Sequence, residues 1–285
     1  MNVTEMSKFW HAEWERALIE NPLPILEQDE HSQIKMWDDI AKIYQDDALG
    51  MGDDRIKEVI DIIKMLKLVT KDSTVLDMGC GNGAYTLPFA NMCKNVEAVD
   101  FSMEMLCALQ MRVKQEAISN IQITKSNFEQ FVDNAKREKK TYDLVFASLN
   151  PGLYSGDSIL KMSELSSGSC IYIAPSQIFN QVEKALEYLL VKPIDILTRG
   201  SNVIYPFNML YYMGCHPQIF YAHYKATKRE TKEKMIERLM KYFSEKDTKV
   251  SNVEEIIVRY VEDRVKDGIF EDKTIGLMGV LIWQP

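Results

Sequence analysis

Apolar residues recur at spacings of three and four through the first part of this chain, which predicts helices before any strand. Residues 5–20 collect Phe9, Trp10, Trp14 and Leu18 and run into Asn21-Pro22-Leu23-Pro24, a sequence that ends a helix. Residues 32–45 place Ile34, Trp37, Ile40, Ala41 and Tyr44 at the same spacing. Gly50-Met51-Gly52 then separates them from a third amphipathic stretch over 55–68, whose Ile56, Val59, Ile60, Ile63, Leu66 and Leu68 read as the face of a helix laid against a sheet.

From residue 74 the pattern changes to short apolar runs alternating with helical periodicity. Strands are predicted at 74–78, 96–99, 121–125, 143–147 and 170–174, with helices from the glycines to about 92 and over 103–115 and 128–137 between them. That rhythm predicts an α/β protein with a Rossmann-like, doubly wound, mostly parallel sheet covered on both faces. Further on, 179–190, 208–213, 231–243 and 253–265 read as helical, and 218–224 and 275–283 as strands. The two late strands, separated by helical material, predict an antiparallel C-terminal closing pair that carries a helical cap.

The first strand runs directly into Gly79-Cys80-Gly81-Asn82-Gly83. Glycines here let the backbone turn sharply and approach a ligand where a Cβ would not fit. A dinucleotide fingerprint wants another glycine where this chain has Tyr85, so a pyrophosphate is disfavoured and with it a nicotinamide-dependent oxidoreductase. Asp100 ends the second strand, where the crevice of such a sheet opens, and an acid there accepts hydrogen bonds from both hydroxyls of a ribose. Asp77 sits inside an apolar strand, so its carboxylate needs partners. Bracing the glycine loop and holding a ligand's ammonium are both open to it. Asn127 and Phe128 follow the third strand at the same edge, where an amide and an aromatic ring can read an adenine.

The formal charge is −8, which gives no bulk attraction to polyanions. A nucleic-acid substrate is therefore not expected, although a local basic face can coexist with an acidic total. The run KATKRETKEKMIERLMK from Lys225 interleaves acids with its lysines and is expected to be a solvated, salt-bridged helix face. No apolar run approaches a membrane span, and the opening residues do not read as a leader, so a cytoplasmic protein without a membrane span is expected. The five cysteines include no C-x-x-C pair and suggest neither a disulfide framework nor a zinc knuckle. No metal site is expected.

VLDMGCGNG (75–83), EAVDFS (97–102), ITKSNFEQF (123–131), YDLVFASLNPG (142–152) and CIYIAPS (170–176) together resemble the class I S-adenosylmethionine-dependent methyltransferases. The resemblance implies S-adenosyl-L-methionine as cofactor, with S-adenosyl-L-homocysteine as product. It assigns the methionine end to Asp77, Gly79, Cys80, Gly81 and Gly83, and the ribose to Asp100. Phe101, Ser102 and Met103 would line the adenosine side, with Asn127 and Phe128 at the adenine and Ser148 at the end of the fourth strand. It also implies an N-terminal helical lid over 1–54 and a methyltransferase domain over 55–285, with helical insertions at about 177–215 and 228–270. The family often has an aspartate where this chain has Asn127. The Asn150-Pro151-Gly152 turn lacks the pattern associated with methylation of nucleic-acid bases, so Asn150 reads as a rim residue that touches substrate or only shapes the turn.

The acceptor is expected to be a small molecule. Trp10, Trp14, Trp37 and Tyr44 form an aromatic lid or simply fasten the first helices to the core. Tyr211, Tyr212 and His216 follow the fifth strand, where the family places substrate-binding loops; His216, Tyr211 and Asn150 are the catalytic candidates. Methylation of a protein or RNA is the alternative, and a non-catalytic cofactor-binding regulatory protein is another.

Overall fold

The computed structural model describes residues 3–20, 29–45, 53–191, 202–244 and 246–285, with residues 42–45 and 53 described as backbone alone. The proposed breaks at 21–24 and 50–52 lie outside the described residues. Three helices come first: α1 (Val3–Glu20), α2 (Glu30–Gln45) and α3 (Asp53–Met65). The alternating part follows as β1 (Thr74–Met78), α4 (Thr86–Ala90), β2 (Asn95–Asp100), α5 (Met103–Gln115), β3 (Ile121–Lys125), α6 (Phe128–Arg137) and β4 (Tyr142–Ser148). After it come α7 (Gly156–Glu164), β5 (Ser166–Asn180), α8 (Gln181–Leu190), α9 (Ile204–Tyr212), β6 (Gln218–Thr231), α10 (Lys232–Ser244), α11 (Val253–Glu262) and β7 (Ile269–Trp283).

The seven strands form one sheet in the order β3-β2-β1-β4-β5-β7-β6. β1 to β5 are parallel, and β7 runs antiparallel to both of its neighbours. This is the doubly wound sheet with an antiparallel closing strand that the periodicity predicts. The residues of β1, β4 and β5 are apolar on both faces because both faces are covered. On one face Leu76, Met78, Val145, Tyr172 and Trp283 pack with Trp14 of α1, Val132 of α6, Ile159 of α7 and Met209 of α9. On the other, Val75, Leu144, Phe146, Ile173 and Val280 pack with Val59 and Ile63 of α3 and Phe89 of α4.

Several elements differ from the expectation. α4 stops at Ala90, one turn past Thr86, and α7 is an additional helix, begun by a Ser155–Ser158 capping box. The largest difference is that β5, β6 and β7 run far past the strands beside them. Ser148, the last residue of β4, pairs with Ile173, so β5 continues from Ala174 to Asn180 beyond the carboxyl edge of the parallel sheet, paired with β7 alone. β6 continues likewise to Thr231, so Lys225 to Thr231 is strand and the helical reading of that stretch holds only from Lys232 onward. Its alternation explains why: Arg229 pairs across the ladder with Glu271, its guanidinium donating to the carboxylate at 3.0 and 2.9 Å.

The three projecting strands make a wall with its own core. Val182, Leu186 and Leu190 of α8, Leu239 and Phe243 of α10, Ile257 and Val261 of α11 and Phe270 of β7 pack as a separate cluster at its far end. Arg238 fastens that end, pairing with Glu183, Glu230 and the buried Asp272, which also accepts a hydrogen bond from the Asn180 amide at 2.7 Å. A β-bulge at Ser176 bends β5 where it leaves the sheet: Pro175 faces Met278 and Gln177 faces Leu277, leaving Ser176 as the extra residue. The bulge changes the phase of the strand. Ile171 and Ile173 point to the α3 face before it, and Ile178 does so after it.

Candidate active site

The glycine loop leaves β1 with Gly79, Gly81 and Gly83 at φ of +76°, +54° and +86°, all in the left-handed region. Two of the three are also closely packed. A Cβ on Gly79 would fall 2.6 Å from the Asn150 amide nitrogen, and one on Gly83 would fall 2.4 Å from Leu109 Cδ1. A Cβ on Gly81 would meet only Met105 Sδ at 3.9 Å, so here the missing side chain leaves an open cradle. The backbone N–H groups of Gly79 and Cys80 both donate to the Val99 carbonyl, at 2.8 and 3.0 Å, which pins the loop against β2.

Asp100 is buried at the end of β2. Its two oxygens accept from the Gly81 and Ser102 N–H groups, each at 2.9 Å. Burial pushes this carboxyl upward against those bonds. Asp77 is only 2% exposed and accepts from the Thr86 hydroxyl at 2.6 Å. Burial, opposed by that bond and reinforced by the nearby Asp100, pushes its carboxyl up to about 7. An acid held in this state is poised for a cationic partner, whose approach would restore its charge.

Ser102 caps α5 and its hydroxyl donates to Asp38 of α2 at 2.6 Å. Asn127 caps α6 and its amide donates to Glu30 of α2 at 3.1 Å. α2 is thus tied by two carboxylates across the tips of β2 and β3. Asn150 is likewise committed, its amide donating to the Met78 carbonyl at 3.0 Å and its oxygen accepting from Gly152 N–H at 2.9 Å.

These elements surround a cavity of about 1000 Å³. Of the sequence candidates, Asp77, Gly79, Cys80, Gly81, Asp100, Phe101, Ser148, Asn150 and Trp37 line it. Gly83, Ser102, Met103, Asn127 and Phe128 stand behind or beside it: Phe128 is buried in the core and Met103 is 47% exposed. Trp14 is a fully buried core residue with Trp10 packed on the same cluster, so these two fasten α1. The side chain of Tyr44 lies outside the described residues. Tyr211, Tyr212 and His216 belong to the α9 region that packs on α1, away from the cavity lining, and Tyr211 and His216 are exposed.

The lining also includes residues that the sequence pattern did not single out as site residues. Arg55 and Ile56 come from α3, Tyr85 from the glycine turn, and Ile178, Tyr224, Thr274 and Met278 from the projecting wall. Tyr85 packs its ring on Phe146 at 4.7 Å and is 5% exposed, which explains why a large residue stands where a dinucleotide fold keeps a glycine.

The Asp100 carboxyl and the open cradle at Gly81 suit a ribose and the methionine end of S-adenosylmethionine, and the buried Asp77 carboxyl, once ionised, can pair with its ammonium. The family described as a methyltransferase domain matches residues 75–162, which run from β1 into α7. Over this stretch, about a third of the chain, the sequence is similar to a methyltransferase domain. A stretch of 84 residues is 33% identical to the probable cobalt-precorrin-6B C(15)-methyltransferase (decarboxylating) of Methanocaldococcus jannaschii, covering 29% of this chain and 46% of that one. A stretch of 85 residues is 31% identical to the tRNA/tmRNA (uracil-C(5))-methyltransferase of Acinetobacter baylyi, covering 30% and 24%. The chain therefore spans less than half the length of these curated relatives. Among solved structures, precorrin 8w decarboxylase of Methanobacterium thermoautotrophicum is similar at 13% identity and a TM-score of 0.46, over 79% of this chain and 89% of that one. Precorrin-6y C5,15-methyltransferase of Geobacter metallireducens is similar at 12% and 0.44, over 84% and 94%.

Proposed function

We propose that this protein transfers the methyl group of S-adenosylmethionine to a small-molecule acceptor held between the glycine loop and the β5-β7-β6 wall. One observation carries the reading. A single cavity is lined on one side by Asp77, Gly79, Gly81 and Asp100, and on the other by Ile178, Tyr224, Thr274 and Met278. The first set suits the cofactor; the second has no use in holding it and offers an apolar berth beside it.

When bound, the cofactor supplies an already activated methyl group, so the protein's work is binding, alignment and exclusion of water. Asp100 would hold the ribose hydroxyls and Asp77 the ammonium, while the backbone of Gly79 to Gly81 approaches the methionine end. The wall and α3 would shield the acceptor from solvent and fix its approach. Alignment of this kind contributes on the order of 7–11 kcal/mol in favourable cases. It therefore does not require the nucleophilic triad or metal that other transfer reactions use.

RNA methylation is the second reading, favoured by the relatives named for tRNA and tmRNA. Against it stand the formal charge of −8 and the mostly apolar side chains, Ile178, Tyr224 and Met278, that the wall gives to the cavity. Incubation with methyl-labelled cofactor and either a cell's low-mass fraction or its tRNA separates the two: label should enter the low-mass fraction. Asp100→Ala should remain folded and bind S-adenosylhomocysteine at least about tenfold more weakly, the loss of one charged hydrogen bond. Unchanged affinity would remove the cofactor assignment.

A further inference from the structure

The cavity presents polar groups that have no partner. The Nη1 of Arg55, the Tyr85 hydroxyl and the Trp37 indole Nε1 are all buried and make no hydrogen bond, and all three residues line the cavity. Arg55 and Ser148 approach the Tyr85 hydroxyl without bonding geometry, and the Arg55 charge pulls the phenol down against the burial that raises it. No carboxylate among the described residues forms an ion pair with Arg55, whose guanidinium lies 5.9 Å from the Tyr224 ring centroid. Each of the three groups can donate. Arg and Trp can only donate.

Leaving buried donors unsatisfied is costly, and a buried guanidinium without a counter-charge more so. The complement of donors left free in one cavity, one of them cationic, is an oxyanion, and a planar guanidinium suits the two oxygens of a carboxylate. Arg55 spans the two sides of the cavity, approaching Tyr85 just past the glycine loop and the Tyr224 ring on the wall. Tyr224 is on β6, four strand spacings from β1, or about 19 Å at the usual interval between strands. Arg55 stands between that ring and Tyr85, with Ile56, Ile178 and Met278 supplying the surrounding apolar surface.

We propose that Arg55, together with the Tyr85 hydroxyl, binds a carboxylate carried by the methyl acceptor. This rests on the methyltransferase reading and narrows it. The acceptor is then a carboxylic acid with a hydrophobic body: the anion is held at Arg55 and the body lies along the wall, leaving the nucleophile to face the cofactor.

The test uses the wild-type protein saturated with S-adenosylhomocysteine and titrated calorimetrically with matched pairs: benzoate and benzamide, phenylacetate and phenylacetamide, octanoate and octanamide. At least one acid should bind about tenfold or more tightly than its amide, the scale of one charge-assisted bond. Arg55→Met should remove that preference and Tyr85→Phe should reduce it, both with S-adenosylhomocysteine affinity kept within about twofold. Arg55→Lys, which keeps the charge but loses the fork, should retain part of it if the methionine variant does not fold. Absence of acid preference in every pair overturns the proposal. So does a loss of about tenfold in S-adenosylhomocysteine affinity in folded Arg55→Met, which would give Arg55 to the cofactor's own carboxylate. Failure of the wild-type protein to bind S-adenosylhomocysteine at all would overturn the methyltransferase reading itself, a different result from a bound cofactor with no acid preference.

Discussion

Asp77 should make cofactor binding a proton-releasing event. Its carboxyl is pushed up to about 7 chiefly by burial, with Thr86 opposing and Asp100 adding to the shift. With that value it is ionised in about 3% of molecules at pH 5.5 and in about half at pH 7, while a ligand's α-ammonium stays largely protonated across the window. If the ammonium pairs only with the ionised acid, apparent affinity scales with that population, so S-adenosylhomocysteine should bind about fifteenfold more tightly at pH 7 than at pH 5.5. Calorimetry at pH 7 in two buffers of different ionisation enthalpy should report about half a proton released per ligand bound. Asp77→Asn should bind weakly and lose both effects.

The same shift has the opposite sign for stability. The folded acid keeps its proton at a pH where the unfolded one, near 3.8, has lost it. Its contribution is therefore fully present below that value and lost as pH rises through about 7. The ligand-free wild type should lose stability across this window relative to Asp77→Asn. Flat affinity between pH 5.5 and 7, or an equal slope in the asparagine variant, would refute the reasoning.

Two further variants separate parts of the site. Gly79→Ala would put a Cβ 2.6 Å from the Asn150 amide at a φ of +76°, whereas Gly81→Ala meets nothing nearer than 3.9 Å. Thermal unfolding should show the former less stable by about 1–3 kcal/mol more than the latter, and a reversed order would sink the packing argument. Leu239→Ala opens the satellite core of the wall and should cost about 2–5 kcal/mol there. Acceptor turnover should fall while S-adenosylhomocysteine affinity stays within about twofold, and a parallel loss of both would show that the wall also supports the cofactor side.

The glycine-loop half of the cavity was legible because its signals are local. A strand entering three glycines and an acid ending the next strand are set by backbone conformation within a few residues, and β1 and β3 have the boundaries that periodicity predicts. The acceptor half was not, because its residues meet only through the sheet order. Arg55 looks like the polar start of an amphipathic helix, and Tyr224 like one residue of an alternating strand. Thr274 lies ahead of the apolar run that marked β7. Lys225 to Thr231 misled for a physical reason: an edge strand with exposed charged residues carries the same composition as a solvated helix, and only the facing β7 decides between them. Tyr85 was read for what it excludes, and its packing on Phe146 supplies the rest.

The extra residue in β5 has a consequence for how such a pocket changes its taste. Ser176 and Pro175 are held by residues outside the strand, the Asn202 amide donating to the Ser176 carbonyl at 2.9 Å and the Val203 N–H to the Pro175 carbonyl at 3.0 Å. Because side chains alternate strictly along a strand, pairing Ser176 as an ordinary strand residue would slip the register by one, rotating Ile178 outward and Gln177 and Phe179 inward, whereas deleting Ser176 would remove the bulge and leave all three facing as they do. The lining of the cavity is therefore set partly by whether this one residue stays unpaired, and loosening the bonds that hold it would redraw the wall with no side chain beside it changed.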